Sequence, residues 1–140
     1  MKKQIALLAL SIALLLALGS CTQDASTLLT DGTWAFQEMT TTSEDSMIIA
    51  YVALAEYALD AATLVFNEDE TFIIDAPLLQ EAMTGTWSVV AEEKLVLTYD
   101  GNDAPSTSTI DVLSKSELKY IEKIPAENLQ FHDLTTSWKR

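Results

Sequence analysis

The stretch Thr63-Leu64-Val65-Phe66-Asn67-Glu68-Asp69-Glu70-Thr71-Phe72-Ile73-Ile74 decides the fold of this chain. Two short runs rich in β-branched and aromatic residues flank four polar residues, which is the pattern of a β-hairpin. Four further runs of this kind follow after short connections, at residues 85–90, 94–99, 108–113 and 117–123. Consecutive strands joined by short turns favour an antiparallel, up-and-down arrangement.

A strand at each end completes the pattern. Asp31-Gly32-Thr33-Trp34 opens an alternating run that reaches residue 40, and a last run covers residues 129–138. The total is about eight strands, so the sequence predicts an all-β fold, an eight-stranded antiparallel up-and-down barrel. Closing the sheet into a barrel also removes the unpaired edges through which sheets aggregate.

One helix is predicted between the first and second strands. Residues 47–59 contain a single charged side chain, Glu56, and no glycine or proline. A helix that is apolar nearly all round is expected to be buried on more than one side. Three roles stay open for it: a cover over one end of the barrel, a lid over a ligand cavity, or a docking element for a membrane or partner protein. Across an opening, Tyr51 would be one of its contact residues.

The amino-terminal segment has the pattern of an export signal. Lys2 and Lys3 precede an apolar run over residues 5–18, which as a helix would reach only about 21 Å against the roughly 30 Å of a bilayer core. The run ends in Leu18-Gly19-Ser20-Cys21, which resembles the processing site of bacterial lipoproteins. That resemblance implies that residues 1–20 are removed and that Cys21 carries the lipid anchor to the membrane. By the same resemblance, Thr22 in place of aspartate implies sorting to the outer membrane.

The remaining chain divides into two parts. Residues 21–30 are mostly small and polar and are interpreted as a tether, and residues 31–140 as the barrel domain. The full chain has a formal net charge of −13, and no Lys or Arg lies between Cys21 and Glu93. Nucleic-acid binding needs a basic surface, so that class of partner is excluded.

Catalytic and metal-binding patterns are weak. The chain has one histidine, His132, and one cysteine, whereas a hydrolytic triad or a zinc site needs several such groups together. The acidic turns at residues 67–70 and 100–103 lack the spacing of a calcium-binding loop. We therefore expect no enzymatic activity, no metal and no cofactor.

A repeated motif suggests a family. Gly32-Thr33-Trp34 and Gly85-Thr86-Trp87 echo each other, with glycine suited to a turn or a close approach and tryptophan to closing a core. Together with the hairpin pattern, they resemble the lipocalin-like domains carried by bacterial lipoproteins of the Bacteroidetes type. The resemblance implies that an arginine packs over the first tryptophan, and Arg140 is the only arginine in the chain. The Thr-Asp-Tyr motif of larger lipocalins is absent, since residues 98–100 read Thr-Tyr-Asp.

Two functions follow as hypotheses. The first is binding of a small apolar ligand inside the barrel, at contacts expected to come from the aromatic residues Trp34, Phe36, Tyr51, Phe66, Phe72 and Trp87. The second is a structural or protein-interaction module of the cell envelope whose barrel is solid. A cavity of a few hundred Å3 favours the first, and a contiguous exposed apolar patch favours the second.

Overall fold

The computed structural model describes residues 24–125 and 131–140. The predicted lipid-attachment residue Cys21 and the signal segment lie outside the described residues. Two helices and eight strands make up the described chain: α1 (Ala25–Thr30), β1 (Thr33–Thr41), α2 (Ser46–Ala58), β2 (Thr63–Phe66), β3 (Thr71–Asp75), β4 (Met83–Val90), β5 (Lys94–Tyr99), β6 (Ser106–Leu113), β7 (Glu117–Pro125) and β8 (Phe131–Lys139).

The eight strands form a closed barrel in sequence order, with every neighbouring pair antiparallel. β8 completes the circle by pairing with β7 on one side and β1 on the other, where Trp138 lies opposite Phe36. The prediction of an eight-stranded up-and-down barrel with a helix after the first strand is therefore confirmed. In the opening hairpin, Phe66 pairs with Phe72 across the turn.

The two ends of the barrel are built differently. Hairpin turns after β2, β4 and β6 meet at one end, together with α1 and the carboxyl terminus, and we call this the closed end. Large inward side chains fill the barrel toward that end and are almost completely buried, among them Trp34, Leu64, Phe66 and Phe72. We call the opposite end, where the β5–β6 connection and the start of α2 lie, the open end.

Residues 25–30 differ from the predicted tether. They form α1, which is capped by Asp24, whose Oδ1 accepts a hydrogen bond from the Thr27 amide at 2.7 Å. Leu29 is completely buried against the closed end, and the Trp34 indole donates to its carbonyl at 3.0 Å. The expectation of a free polar segment was wrong for these residues because burying Leu29 against the barrel stabilises a helix that is too short to be stable alone.

α2 differs from its predicted burial. Only Val52 is buried within the helix, where it packs with Met39 and Leu134. Leu54 and Tyr57 are each 68% exposed. The expectation of burial on several sides was wrong because the helix lies against the outer rim of the barrel, so one side alone finds a partner.

Candidate functional site

A cavity of about 520 Å3 occupies the open half of the barrel. Asn102, Ala104 and Tyr51 lie at its rim and are exposed, so the cavity opens to solvent there. The apolar lining residues come from the helix, the strands and the connections between them: Met39, Ala55, Ala58, Leu59, Ile74, Leu79, Met83, Leu97, Ala104, Leu134 and Trp138. Those that carry polar groups are Tyr51, Tyr99, Asn102, Ser106, Ser108, Tyr120, Glu122 and Thr136.

Side-chain size explains why one half is filled and the other is not. An eight-stranded barrel has an interior just wide enough for its side chains or for one small ligand. At the closed end the inward positions carry aromatic rings, whereas the inward positions of β6 and β8 at the open end carry Ser106, Ser108 and Thr136. These three residues leave space that larger side chains would occupy.

The floor of the cavity is Trp138, which is 1% exposed. Its ring meets Phe36 edge-on, with 5.4 Å between the ring centroids. The floor therefore separates the cavity from the filled core.

A polar cluster lies along one wall. Tyr120 and Glu122 occupy alternate positions of β7 and therefore point the same way, into the barrel. The Ser106 hydroxyl on β6 donates to Oε1 of Glu122 at 2.5 Å. Tyr99 on β5 reaches the same wall, where its ring is held edge-on by Phe72 with centroids 5.2 Å apart.

The tyrosine hydroxyls of this wall are held in their neutral form. Burial raises the pKa of Tyr120 to about 12, and the charge of Glu122 acts in the same direction. Burial likewise raises the pKa of Tyr99 above its ordinary value, with further contributions from Tyr120, Glu122 and Tyr51. At physiological pH the wall thus offers neutral phenols beside one carboxylate.

The six aromatic residues predicted as ligand contacts are divided by the structure. Tyr51 lines the cavity from α2. The other five, Trp34, Phe36, Phe66, Phe72 and Trp87, are not among the residues that line it. Phe36 and Phe72 stand directly behind it, against Trp138 and Tyr99.

Three of those five belong to the closed end instead. Phe66 and Trp87 pack edge-on with centroids 5.3 Å apart, and the Trp87 indole donates to the Asn67 carbonyl at 3.1 Å. Trp34 lies below α1. Large rings at inward positions fill the closed end, whereas the small inward side chains of Ser106, Ser108 and Thr136 leave the space of the cavity.

Sequence reasoning therefore missed the residues that shape the cavity. The available signal was a polar side chain at an inward, period-two position of a strand. Ser106 and Ser108 on β6 follow that pattern, as do Tyr120 and Glu122 after the buried Leu118 on β7. Such positions are expected to be apolar in a solid core, so polar residues there indicate a solvated or ligand-filled interior.

The other candidate groups have structural roles. His132 lies near the rim on β8, and its Nε2 is buried without a hydrogen-bond partner among the described residues. In the turn at residues 67–70, the Asp69 carboxylate accepts hydrogen bonds from the amide and hydroxyl of Thr71, which lowers the pKa of Asp69. Within residues 24–125 and 131–140, no three His, Cys, Asp or Glu side chains lie together as metal ligands would.

Fold and cavity together define a class: an antiparallel eight-stranded barrel with one filled end and one open, mixed-polarity cavity. No family model and no curated protein matches the sequence. Among solved structures, the chain is similar to a DUF4847 family protein from Bacteroides vulgatus, at 11% identity and a TM-score of 0.47 over 77% of this chain and 93% of that one. It is also similar to bovine odorant binding protein, solved with a selenium-containing odorant, at 15% identity and a TM-score of 0.49 over 86% of this chain and 74% of that one.

Neither helix in the described part of the chain is long and apolar enough to cross a membrane.

Proposed function

We propose that this protein binds a small, largely apolar ligand in the cavity at the open end, and that it does so as an exported protein anchored through lipid on Cys21. The observation that carries the ligand proposal is the cavity itself. Its volume of about 520 Å3 falls within the roughly 300–1,000 Å3 of small-molecule sites. Its mostly apolar walls with a few polar groups on one side suit a ligand with an apolar body and one polar end.

The experiment fills the cavity from inside. Ser108 is 3% exposed and lines the cavity, while its neighbour Thr109 is exposed on the outer face of β6. We expect Ser108→Trp to abolish uptake of small apolar compounds, measured by native mass spectrometry of protein purified from its host. Thr109→Trp adds the same ring outside and should leave uptake unchanged. Equal uptake by both variants, each folded by circular dichroism, would place binding elsewhere.

The anchoring proposal rests on Leu18-Gly19-Ser20-Cys21 and on the position of α1. Since α1 begins at Ala25, only residues 22–24 lie between Cys21 and the folded domain, and they reach about 10 Å when fully extended. α1 lies at the closed end, opposite the cavity. The anchor would therefore hold the closed end near the membrane, proposed to be the outer membrane, and leave the mouth facing away from it.

Detergent partitioning tests the anchor. Wild-type protein expressed in a lipoprotein-processing bacterium should enter the detergent phase, and Cys21→Ala should remain in the aqueous phase. Thr22→Ala, which keeps the thiol, is the control and should partition like wild type. A wild-type protein found in the aqueous phase would contradict the anchor without affecting the ligand proposal.

The exposed side chains of α2 favour a second function, contact with a protein of the cell envelope. Met47, Leu54 and Tyr57 together leave apolar surface in solvent on the side of the helix away from the barrel, and such patches often mark interaction surfaces. A photo-crosslinking residue in place of Leu54 should then give a discrete adduct in cells, while one in place of Thr109 should give none. Identical patterns from both positions would argue against this role.

A further inference from the structure

The cavity contains a carboxylate without a basic partner. Glu122 is the one acidic residue among the described residues that line it, and none of those residues is Lys, Arg or His. The segment at residues 126–130 contains no basic residue either. Ser106 supplies a hydrogen bond to Glu122 but no charge.

The basic side chains of β7 are engaged elsewhere. Lys123, the next residue on β7, points to the opposite face and pairs with Asp133 at 2.7 Å. Lys119 approaches Glu117 at 4.0 Å, toward the closed end. Placing an unpaired carboxylate beside apolar walls costs desolvation free energy unless a cation or several hydrogen bonds compensate its charge.

The rings around Glu122 suit a cation. Tyr99 and Tyr120 share its wall, and Tyr51 faces them from α2. The face of an aromatic ring attracts an ammonium group, and the attraction is stronger when the cation is desolvated. Since burial keeps the phenols of Tyr99 and Tyr120 neutral, they add no negative charge that would itself require compensation.

Resting on the proposed ligand-binding function, we infer that the ligand is a cationic amphiphile, an amine in its protonated or quaternary form joined to an apolar body. The ammonium group lies beside Glu122, among the rings of Tyr51, Tyr99 and Tyr120. The apolar body lies against Met39, Leu134 and the Trp138 floor. An anionic head would meet Glu122 directly, in a chain whose formal net charge is already −13, so fatty acids are excluded by this arrangement.

Three probes with one apolar body test the inference: 3-phenylpropyltrimethylammonium, 3-phenylpropanol and 3-phenylpropanoate. Each is titrated by calorimetry into the full chain in phosphatidylcholine nanodiscs, with empty nanodiscs as the blank. We expect the cation to bind about tenfold more tightly than the alcohol, and the carboxylate more weakly than the alcohol, because only the cation is attracted by the Glu122 carboxylate and the tyrosine rings.

Variants connect the preference to the named residues. Glu122→Gln should remove the tenfold preference for the cation and leave the alcohol within about twofold. Glu117→Gln, on the same strand but outside the cavity, should keep the wild-type preference. Tyr51 is half exposed at the rim, so Tyr51→Phe should preserve cation binding and Tyr51→Leu should weaken it without disturbing the fold.

The outcomes separate the two proposals. Binding of the alcohol with no preference for the cation, or a preference that survives Glu122→Gln, would overturn the cationic ligand while leaving the cavity a binding site. Failure of all three probes to bind would overturn both this inference and the proposed function.

Discussion

Arg140 shows how one residue can join both ends of the chain. Its guanidinium carbon lies 3.9 Å from the centroid of the Trp34 ring, as the lipocalin-like resemblance implied. It also pairs with Asp31 at 3.2 Å and donates to the Lys115 carbonyl at 3.1 Å and to the Leu28 carbonyl. The side chain is only 15% exposed, so solvent screens these contacts poorly. They hold the carboxyl terminus against α1 and the start of β1 at the closed end.

Replacing Arg140 should therefore destabilise the barrel. We expect Arg140→Ala to lower the free energy of unfolding by about 2–4 kcal/mol, since it removes a cation–π contact and charged hydrogen bonds together. Arg140→Lys should recover only part of this because an ammonium group lacks the planar fork. Urea titrations measure both, and the neighbouring exposed Lys139→Ala should change little. A loss equal to that of Lys139→Ala would contradict the role.

The two glycines of the repeated motif are needed for different reasons. Gly32 has φ +115°, a backbone conformation that other residues rarely adopt. Gly85 has no such backbone requirement; a Cβ at this position would collide with the Thr98 carbonyl oxygen and come within 2.9 Å of the Phe72 ring. The first glycine of the repeated motif is therefore needed for a turn, and the second for the close approach of β5 and the Phe72 ring.

Gly85→Ala tests the close approach. Neither neighbour of the added methyl group can move easily, because the Thr98 carbonyl belongs to the β5 backbone and the Phe72 ring is buried. We therefore expect the free energy of unfolding to fall by about 3 kcal/mol. Ser88→Ala, at an exposed position of the same strand, is the control and should stay within about 0.5 kcal/mol of wild type. A stable Gly85→Ala protein with an unchanged near-ultraviolet spectrum would contradict the packing described.

At the scale of elements, α1 behaves as part of the barrel. Its Leu29 fills the closed end, and its first amide, that of Ala25, donates to Oε2 of Glu92 in the β4–β5 turn at 3.0 Å. This contact crosses 67 positions of sequence. The helix therefore closes this end of the barrel.

Two adjacent leucines of α1 provide a matched test. Leu29→Ala should cost about 2–4 kcal/mol because it empties a completely buried site. Leu28→Ala removes the same atoms from a half-buried position and should cost about 1 kcal/mol or less. Urea unfolding of both variants gives the comparison. Equal losses would mean that α1 is not packed as the structure shows.

α2 is the element in which the sequence pattern was least informative. Its composition is apolar all round, yet its exposed side faces solvent and its other side contributes Tyr51, Ala55, Ala58 and Leu59 to the cavity. The helix therefore borders the cavity on one side and solvent on the other. The exposed side is the feature that the proposed partner contact would use.

The whole molecule should lose stability in alkaline solution. Folding raises the pKa of Tyr120 from 10.0 to about 12, so the folded state holds that proton more tightly than the unfolded state. The contribution of this pKa shift to the free energy of unfolding is fully present below pH 10, and it is lost as the pH rises from about 10 to about 12. Two pKa units correspond to about 2–3 kcal/mol.

Unfolding free energies measured between pH 8 and 11.5 check this loss. The decline should be shallower in Tyr120→Phe, which cannot ionise, than in wild type. Tyr57→Phe removes a phenol that is 68% exposed and should retain the wild-type slope. If Tyr120→Phe declines as steeply as wild type, then Tyr120 does not ionise late in the folded protein.

What the sequence determined by itself is the barrel. Alternation of side chains along strands and polar turn residues are local properties, so the hairpin at residues 63–74 and its successors could be read from the chain, and even Arg140 was identified because no other arginine exists. The tertiary structure alone decided which half of the barrel is filled, where α1 and α2 lie, and that Tyr99, Tyr120 and Glu122 share one wall. These features depend on how the volumes of side chains from distant strands add up inside a closed sheet, and on which helix face finds a partner. Neither the summed volume of these side chains nor the partner of a helix face can be read from any single segment of the chain.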